Sequence, residues 1–366
     1  MTAACLLAFA LAYFPPSDSA GGWRTRLTGA FDPVFDYVQG TTKHGGLLVV
    51  HKGWLVYERY LGMGHRDATP NLASCGKSFT SVAVGILVHE RPDLFPDGLD
   101  QRIYCPRYLP PQAFPLDDPA KADIRLGHLL AMTSGLRGNT PGFVRGKPVA
   151  IDPPGPDGWP AIVDANAFRV SMWCKPGEGY SYATAGIHLA SVILRYVAER
   201  VAKPLGWGRW GFGYRRPEVT HTPGGGGIAL RATDMLRFGY LLLQRGQWNG
   251  RQVIPADYVR HCSRRSPYNP HSSYSLQFDV NEDGHLAGVP RDAFWKMGSG
   301  GHCFYLVPSL DLMVWKLGGR DEQYGQVPGD VVRYDGSRER WKPSEPDAQK
   351  AAHLTIQKTV AALKAR

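Results

Sequence analysis

The sequence predicts an α+β fold, in which an antiparallel sheet built from both chain ends is flanked by helices and meets a mainly helical subdomain. Three observations carry this. Residues 46–60 are apolar on either side of Lys52-Gly53 and read as a β-hairpin turning there. Residues 302–307 and 312–317 are a second apolar pair, joined by Pro308-Ser309-Leu310-Asp311. Between the pairs, short helical patterns alternate with Pro- and Gly-rich loops, as expected for a sheet closed by the two termini.

Taken in order, residues 3–14 form an apolar run ending at Pro15-Pro16. The run is too short to span a bilayer. It suits the core of a signal peptide, with Ala8-Phe9-Ala10 or Ala10-Leu11-Ala12 as small-residue sites, although the positively charged start is missing. Residues 1–20 are therefore expected to be a signal or N-terminal segment, and the protein to be exported to the periplasm or outside the cell. Residues 21–92 and 291–366 are assigned to the sheet subdomain and 93–290 to the helical one, with a cleft at the boundary. Helical periodicity is clear in 187–201 and 233–243. A loop covers 141–160, a polar linker covers 320–346, and an amphipathic helix over 348–363 closes the chain.

With 366 residues, 43% hydrophobic and 20% charged, the composition is that of a globular protein with a large core. The net charge of +10 is spread out, and the doublets Arg215-Arg216 and Arg264-Arg265 stand alone. No basic run interleaves with aromatics, which argues against a nucleic-acid partner. Six cysteines form no C-x-x-C pair and show no metal-ligand spacing, so no metal is expected. No stretch is a transmembrane helix candidate.

Chemistry concentrates at Ser74-Cys75-Gly76-Lys77, the one S-x-x-K of the chain, which opens an apolar helical run. A serine hydroxyl needs a base beside it to act as a nucleophile. Three residues apart on a helix, two side chains share one face, so the Lys77 amine can meet the Ser74 hydroxyl. The helix start also directs backbone N–H groups at developing negative charge. Tyr182, in Pro176-Gly-Glu-Gly-Tyr-Ser-Tyr-Ala-Thr-Ala-Gly186, is placed to relay a proton or to anchor its loop. Lys296-Met297-Gly298-Ser299-Gly300-Gly301 leads into a strand whose small residues admit substrate to the backbone. Lys43, Lys175 and Lys316 also begin a K-x-G triplet, but only Lys296 precedes a run of small residues. His302 stands at the expected cleft edge, either contacting substrate or holding structure. Trp173, Tyr268, Phe294 and Trp295 serve as core or as an apolar acyl pocket.

These residues resemble the serine β-lactamase-like superfamily, in particular class C β-lactamases, D-alanyl-D-alanine carboxypeptidases and related esterases. The resemblance runs in order through Ser74-Cys-Gly-Lys77-Ser-Phe-Thr, Ile124-Arg-Leu-Gly-His-Leu-Leu-Ala-Met-Thr-Ser-Gly-Leu136 and the glycine run 224–227 with Ala232-Thr-Asp-Met-Leu-Arg-Phe238. It continues through Gly246-Gln-Trp-Asn-Gly250 to Gly300-Gly301 and Pro308-Ser-Leu-Asp-Leu312. It implies an acyl-enzyme on Ser74, with Lys77 and Tyr182 handling protons. It also implies an oxyanion hole from the backbone N–H groups of Ser74 and Ser299, and no cofactor. Thr184, Lys296, Gly298 and His302 become the substrate-binding candidates. Two positions depart from the family pattern. Thr184 replaces the asparagine of Tyr-x-Asn, and Met297 replaces a hydroxyl residue, which weakens β-lactam and peptide recognition. The expected activity is that of a carboxylesterase or broad ester and amide hydrolase on small molecules. A D,D-peptidase or β-lactamase and a non-catalytic binding protein are the alternatives.

Overall fold

The computed structural model describes Pro15 and residues 22–152, 167–192, 198–212 and 224–365. The expected signal run, the second half of the 141–160 loop and part of the 187–201 helix lie outside the described residues. Strands β1 (Gly45–His51) and β2 (Trp54–Leu61) come from the front of the chain. Three two-stranded ribbons follow: β3 (Gly142–Val144) with β4 (Lys147–Val149), β5 (Trp210–Phe212) with β6 (Ile228–Leu230), and β7 (Gln247–Trp248) with β8 (Arg251–Gln252). Strands β9 (Asp279–Val280), β10 (Phe294–Gly298), β11 (His302–Val307) and β12 (Leu312–Leu317) complete a six-stranded antiparallel sheet in the order β2-β1-β12-β11-β10-β9.

The first hairpin closes because Lys52 (φ 50°) and Gly53 (φ 72°) both take left-handed backbone, the geometry of a two-residue turn that matches strand twist. The two chain ends then meet in the register Leu48↔Trp315 and Val49↔Val314. Sheet β9 falls inside the stretch assigned to the helical part, so the sheet reaches further back along the chain than residue 291.

Period-two alternation divides two cores. Leu47, Val49, Trp295, Tyr305 and Val314 pack on one face beneath α1 (Asp32–Gln39) and α7 (Ala348–Lys364). Leu48, Val50, Phe294, Phe304 and Trp315 pack on the other, against α2 (Gly76–Glu90) and α5 (Ala232–Leu243). Phe294 and Trp295 are thus core on opposite faces, not an acyl pocket. The helical part adds α3 (Leu126–Leu130), α4 (Thr184–Val192) and α6 (Ala256–Cys262). Helix α2 is enclosed, and Gly76 through Leu87 are all buried along it. No helix among the described residues is long and apolar enough to cross a membrane.

The stretch 320–346, expected to be a polar linker, departs from that reading at its start. Asp321–Gln323 forms a short 3-10 turn, and Gln323 is buried against the sheet.

Two imidazoles, His302 fully buried and His128 partly so, give the fold a pH dependence. Burial, reinforced by Lys316, pulls His302 down to about 3, and burial with Arg125 pulls His128 down to about 4. Between those values and the ordinary 6.5, the unfolded chain holds protons that the folded chain lacks. Stability is therefore full above about pH 6.5 and falls as pH drops through it. Urea midpoints are expected to fall between about pH 7.5 and about pH 5, and to fall less in a His302→Gln variant. Equal losses in the two proteins would remove His302 as a source.

Candidate active site

Ser74 lies on a 3-10 turn, Ala73–Cys75, directly before α2, a tighter setting than the expected first turn of the α-helix. Ala73 has φ 48°, and its N–H is held by Asn71 Oδ1 at 2.9 Å. Such left-handed backbone at a non-glycine residue costs on the order of 1–3 kcal/mol and marks functional turns. The turn leaves Ser74 half-buried and places Lys77 on the helix behind it, 1% exposed.

Lys77 Nζ donates to Ser74 Oγ at 2.9 Å and to the Gly225 carbonyl at 2.5 Å. No carboxylate joins these hydrogen bonds. Burial pulls the Lys77 amine well toward its neutral form; the Tyr182 phenol opposes this and the Lys296 charge adds to it. The glycine run 224–227 is needed at this approach. A side chain on Gly225 would press on Thr184 Cγ2 at 2.7 Å, and one on Gly76 would meet Gly226 Cα at 3.1 Å.

Tyr182 enters from the loop before α4 and sets its phenol among Ser74, Lys77 and Lys296. Burial pushes the phenol up, but the Lys296 and Lys77 charges and the polar surroundings outweigh it, leaving the phenol below its ordinary 10.0. The Lys77 and Lys296 ammonium groups lie 5.1 and 4.8 Å from the Tyr182 ring centroid. Lys296 is 1% exposed on β10 and faces α2, on the same side of the strand as Phe294. Of the four lysines that begin a K-x-G triplet, Lys296 is the one that meets Tyr182. Lys43 pairs with Asp321, Lys175 is exposed, and Lys316 donates to the Gly301 carbonyl at 2.7 Å.

Gly298 presses β10 onto the nucleophile turn. A Cβ there would run into the Leu72 carbonyl oxygen, with Cys75 N and Sγ at 3.2 and 3.3 Å. Ser299 follows, exposed, directly after the end of β10. Thr184 begins α4 and turns its methyl toward Gly225. Met297 packs against the outer core, behind the strand. Cys75, next to the serine, is fully buried, and its thiol is pushed up to about 12, which leaves it unreactive as a nucleophile.

His302 departs from the expected role at the cleft edge. It is fully buried and stacks on Trp315 at 6.0 Å. Its Nδ1 accepts from Gly318 N–H at 3.0 Å, and its Nε2 lies 3.3 Å from Gln323 Nε2, so the ring braces the strand ends. Tyr268 and Trp173 also lie elsewhere: Tyr268 covers Gly127 and His128, and Trp173 packs on Gly142 and Gly179.

Two contributors carried no sequence signal. Gln323 Nε2 donates to the carbonyls of Asn71 (2.8 Å) and Ser299 (3.2 Å), tying the strand end to the nucleophile turn. Tyr274, from the aperiodic segment Ser272-Ser273-Tyr274-Ser275, accepts a hydrogen bond from Lys296 Nζ at 2.5 Å.

Comparison with solved structures shows the same fold in several hydrolases and acyltransferases. A candidate 6-aminohexanoate-dimer hydrolase from Bacillus anthracis is 18% identical, with a TM-score of 0.69 over 96% of this chain and 90% of that one. EstCE1, a hydrolase with promiscuous acyltransferase activity, is 16% identical, with a TM-score of 0.58 over 79% and 94%. Simvastatin synthase (LovD) from Aspergillus terreus, in its LovD9 mutant form, is 15% identical, with a TM-score of 0.57 over 92% and 98%. A search of curated proteins finds no significant match. The beta-lactamase family model matches residues 35–323, a span that takes in both terminal hairpins, the nucleophile turn and the Tyr182 loop. On that match the chain belongs to the beta-lactamase family, a family of serine hydrolases.

Proposed function

We propose that the protein is a serine hydrolase that forms an acyl-enzyme on Ser74 and acts as a carboxylesterase or broad ester and amide hydrolase. The observation that carries this is the buried Lys77 amine, 2.9 Å from the hydroxyl of the half-buried Ser74, with the Tyr182 ring beside the amine, its centroid 5.1 Å away. Ser74 Oγ attacks the substrate carbonyl and loses its proton to the Lys77–Tyr182 pair. The negative oxygen that develops meets the backbone N–H groups of Ser74 and Ser299. Collapse breaks the bond to the alcohol or amine, which takes a proton from the pair on leaving. Water then attacks the acyl-enzyme and releases the acid. Because the Lys77 and Tyr182 charges act on each other, their titration belongs to the pair.

The preference for esters rests on what surrounds the pair. Thr184 gives its methyl to Gly225, in the position where a carboxamide would otherwise hold a substrate amide. Met297 supplies no hydroxyl.

Hydrolysis of p-nitrophenyl butyrate, compared with Ser74→Ala, tests the reading. The variant is expected to lose at least about 10^4-fold in kcat/KM. Turnover of nitrocefin with no ester hydrolysis would replace the esterase reading by the lactamase one, and no Ser74-dependent turnover of either would favour a binding protein on the same scaffold.

A further inference from the structure

Tyr274 is 2% exposed and lies on neither α2 nor β10, yet its hydroxyl is fully committed between them. It accepts from Lys296 Nζ at 2.5 Å and donates to Gln277 Oε1 at 3.0 Å. Gln277 is itself pinned. Its Nε2 donates to the Leu130 carbonyl at 2.5 Å, and its own carbonyl accepts from Ser78 Oγ at 2.9 Å, one residue beyond Lys77. A chain of hydrogen bonds therefore runs from Lys296 through Tyr274 and Gln277 back to Ser78 on α2, and Lys296 in turn lies over the Tyr182 ring. The Lys296 ammonium sits between two phenol rings, 4.8 Å from the centroid of Tyr182 and 4.6 Å from that of Tyr274.

We propose that Tyr274 is a positioning residue for the reaction: its hydroxyl holds the Lys296 ammonium against Tyr182 and so keeps that phenol ready to accept the Ser74 proton. The inference rests on the acyl-enzyme reading above. Three features support it. The Lys296 charge also reaches Asp279, half-buried on β9 and paired in register with Trp295, and lowers its carboxyl against the burial that raises it. Burial pushes the Tyr274 phenol itself well up, so it stays a neutral acceptor while Tyr182 is drawn down. Lastly, an ammonium that loses a buried acceptor seeks another, because an unpaired buried charge is costly. The groups facing Lys296 are Lys77 and Cys75 from the nucleophile segment, Tyr182 from its loop, Tyr274, and Asp279. The Tyr180 ring packs tilted against Tyr274, 5.6 Å between centroids. Without the Tyr274 hydroxyl, the Lys296 ammonium loses its fixed place against Tyr182, and the Tyr182 phenol regains its proton at higher pH than before.

The experiment is a pH titration of protein labelled with 13C at the tyrosine Cζ, following the resonance that disappears in Tyr182→Phe. In Tyr274→Phe this resonance is expected to titrate about one pH unit higher, with Tyr180→Phe unchanged from wild type. The acid limb of kcat/KM for p-nitrophenyl butyrate should move up by the same amount, a loss of about tenfold on that limb, with KM unchanged. A Tyr182 titration left in place by Tyr274→Phe overturns the proposal. Should that variant not fold, Gln277→Met, which removes the acceptor that aims the Tyr274 hydroxyl, is expected to shift the resonance the same way, and no shift overturns the proposal. The resonance reports on Tyr182 whether or not the substrate is right. A shifted titration with no Ser74-dependent turnover would therefore uphold the positioning and reject the hydrolase reading.

Discussion

A Lys77→Arg variant is expected to lose about a thousandfold or more in acylation rate, read as single-turnover release of p-nitrophenol. Arginine stays protonated across the accessible pH range, so it can hold the Ser74 oxygen but cannot take its proton. The wild-type lysine is drawn toward its neutral form chiefly by burial, and neutral amine is what the first step consumes. The larger guanidinium also has to fit a slot closed by Gly225 at 2.5 Å, so thermal melting run alongside separates lost packing from lost chemistry. Lys77→Met supplies the matching case, with no proton acceptor and less bulk. Acylation by Lys77→Arg within about threefold of wild type would remove Lys77 from the proton path.

The second large effect is expected from one methyl group. Gly298→Ala places a carbon against the Leu72 carbonyl and the Cys75 N–H, so β10 must move off the nucleophile turn. Overpacking of this kind costs about 1–3 kcal/mol of stability. The catalytic cost is expected to be larger, because in the proposed mechanism the Ser74 and Ser299 N–H groups share one oxygen, and a misplacement of about 1 Å is worth about a hundredfold in rate. Met297→Ala is the control: its side chain packs on the outer face, so it should lower the melting temperature while leaving kcat/KM near wild type. Wild-type kcat/KM in Gly298→Ala would mean that the approach of strand and turn does not set the rate.

What could be read from the sequence was what depends on near neighbours. Turn residues and alternating apolar runs placed both hairpins, and the cap Asp347, which accepts from Gln349 and Lys350 N–H, marks the start of a last helix expected at 348–363 and found at Ala348–Lys364. Ser74 and Lys77 could be paired because three residues on a helical face are adjacent whatever the rest of the chain does. Tyr182 and Lys296 needed the order of several motifs, since nothing local relates them. Tyr274 and Gln323 were invisible for a physical reason: their roles arise only when distant segments pack. Gln323 reaches Asn71 across 252 residues of chain, from a stretch whose polarity reads as solvated linker. His302 misled because its place beside Gly301 suggested the cleft, whereas its ring is stacked on Trp315 beneath the chain that carries Gln323.

The pairing of β1 with β12 has a consequence for synthesis. Strand β1 finds its second partner only after residues 312–317 have left the ribosome, so the growing chain carries a hairpin with apolar side chains on both faces for most of its translation. Contacts between such remote segments are slow to form, because loop closure has to precede any gain from pairing. A chaperone that shields residues 45–61 until release would therefore raise the yield of folded protein without touching its final stability.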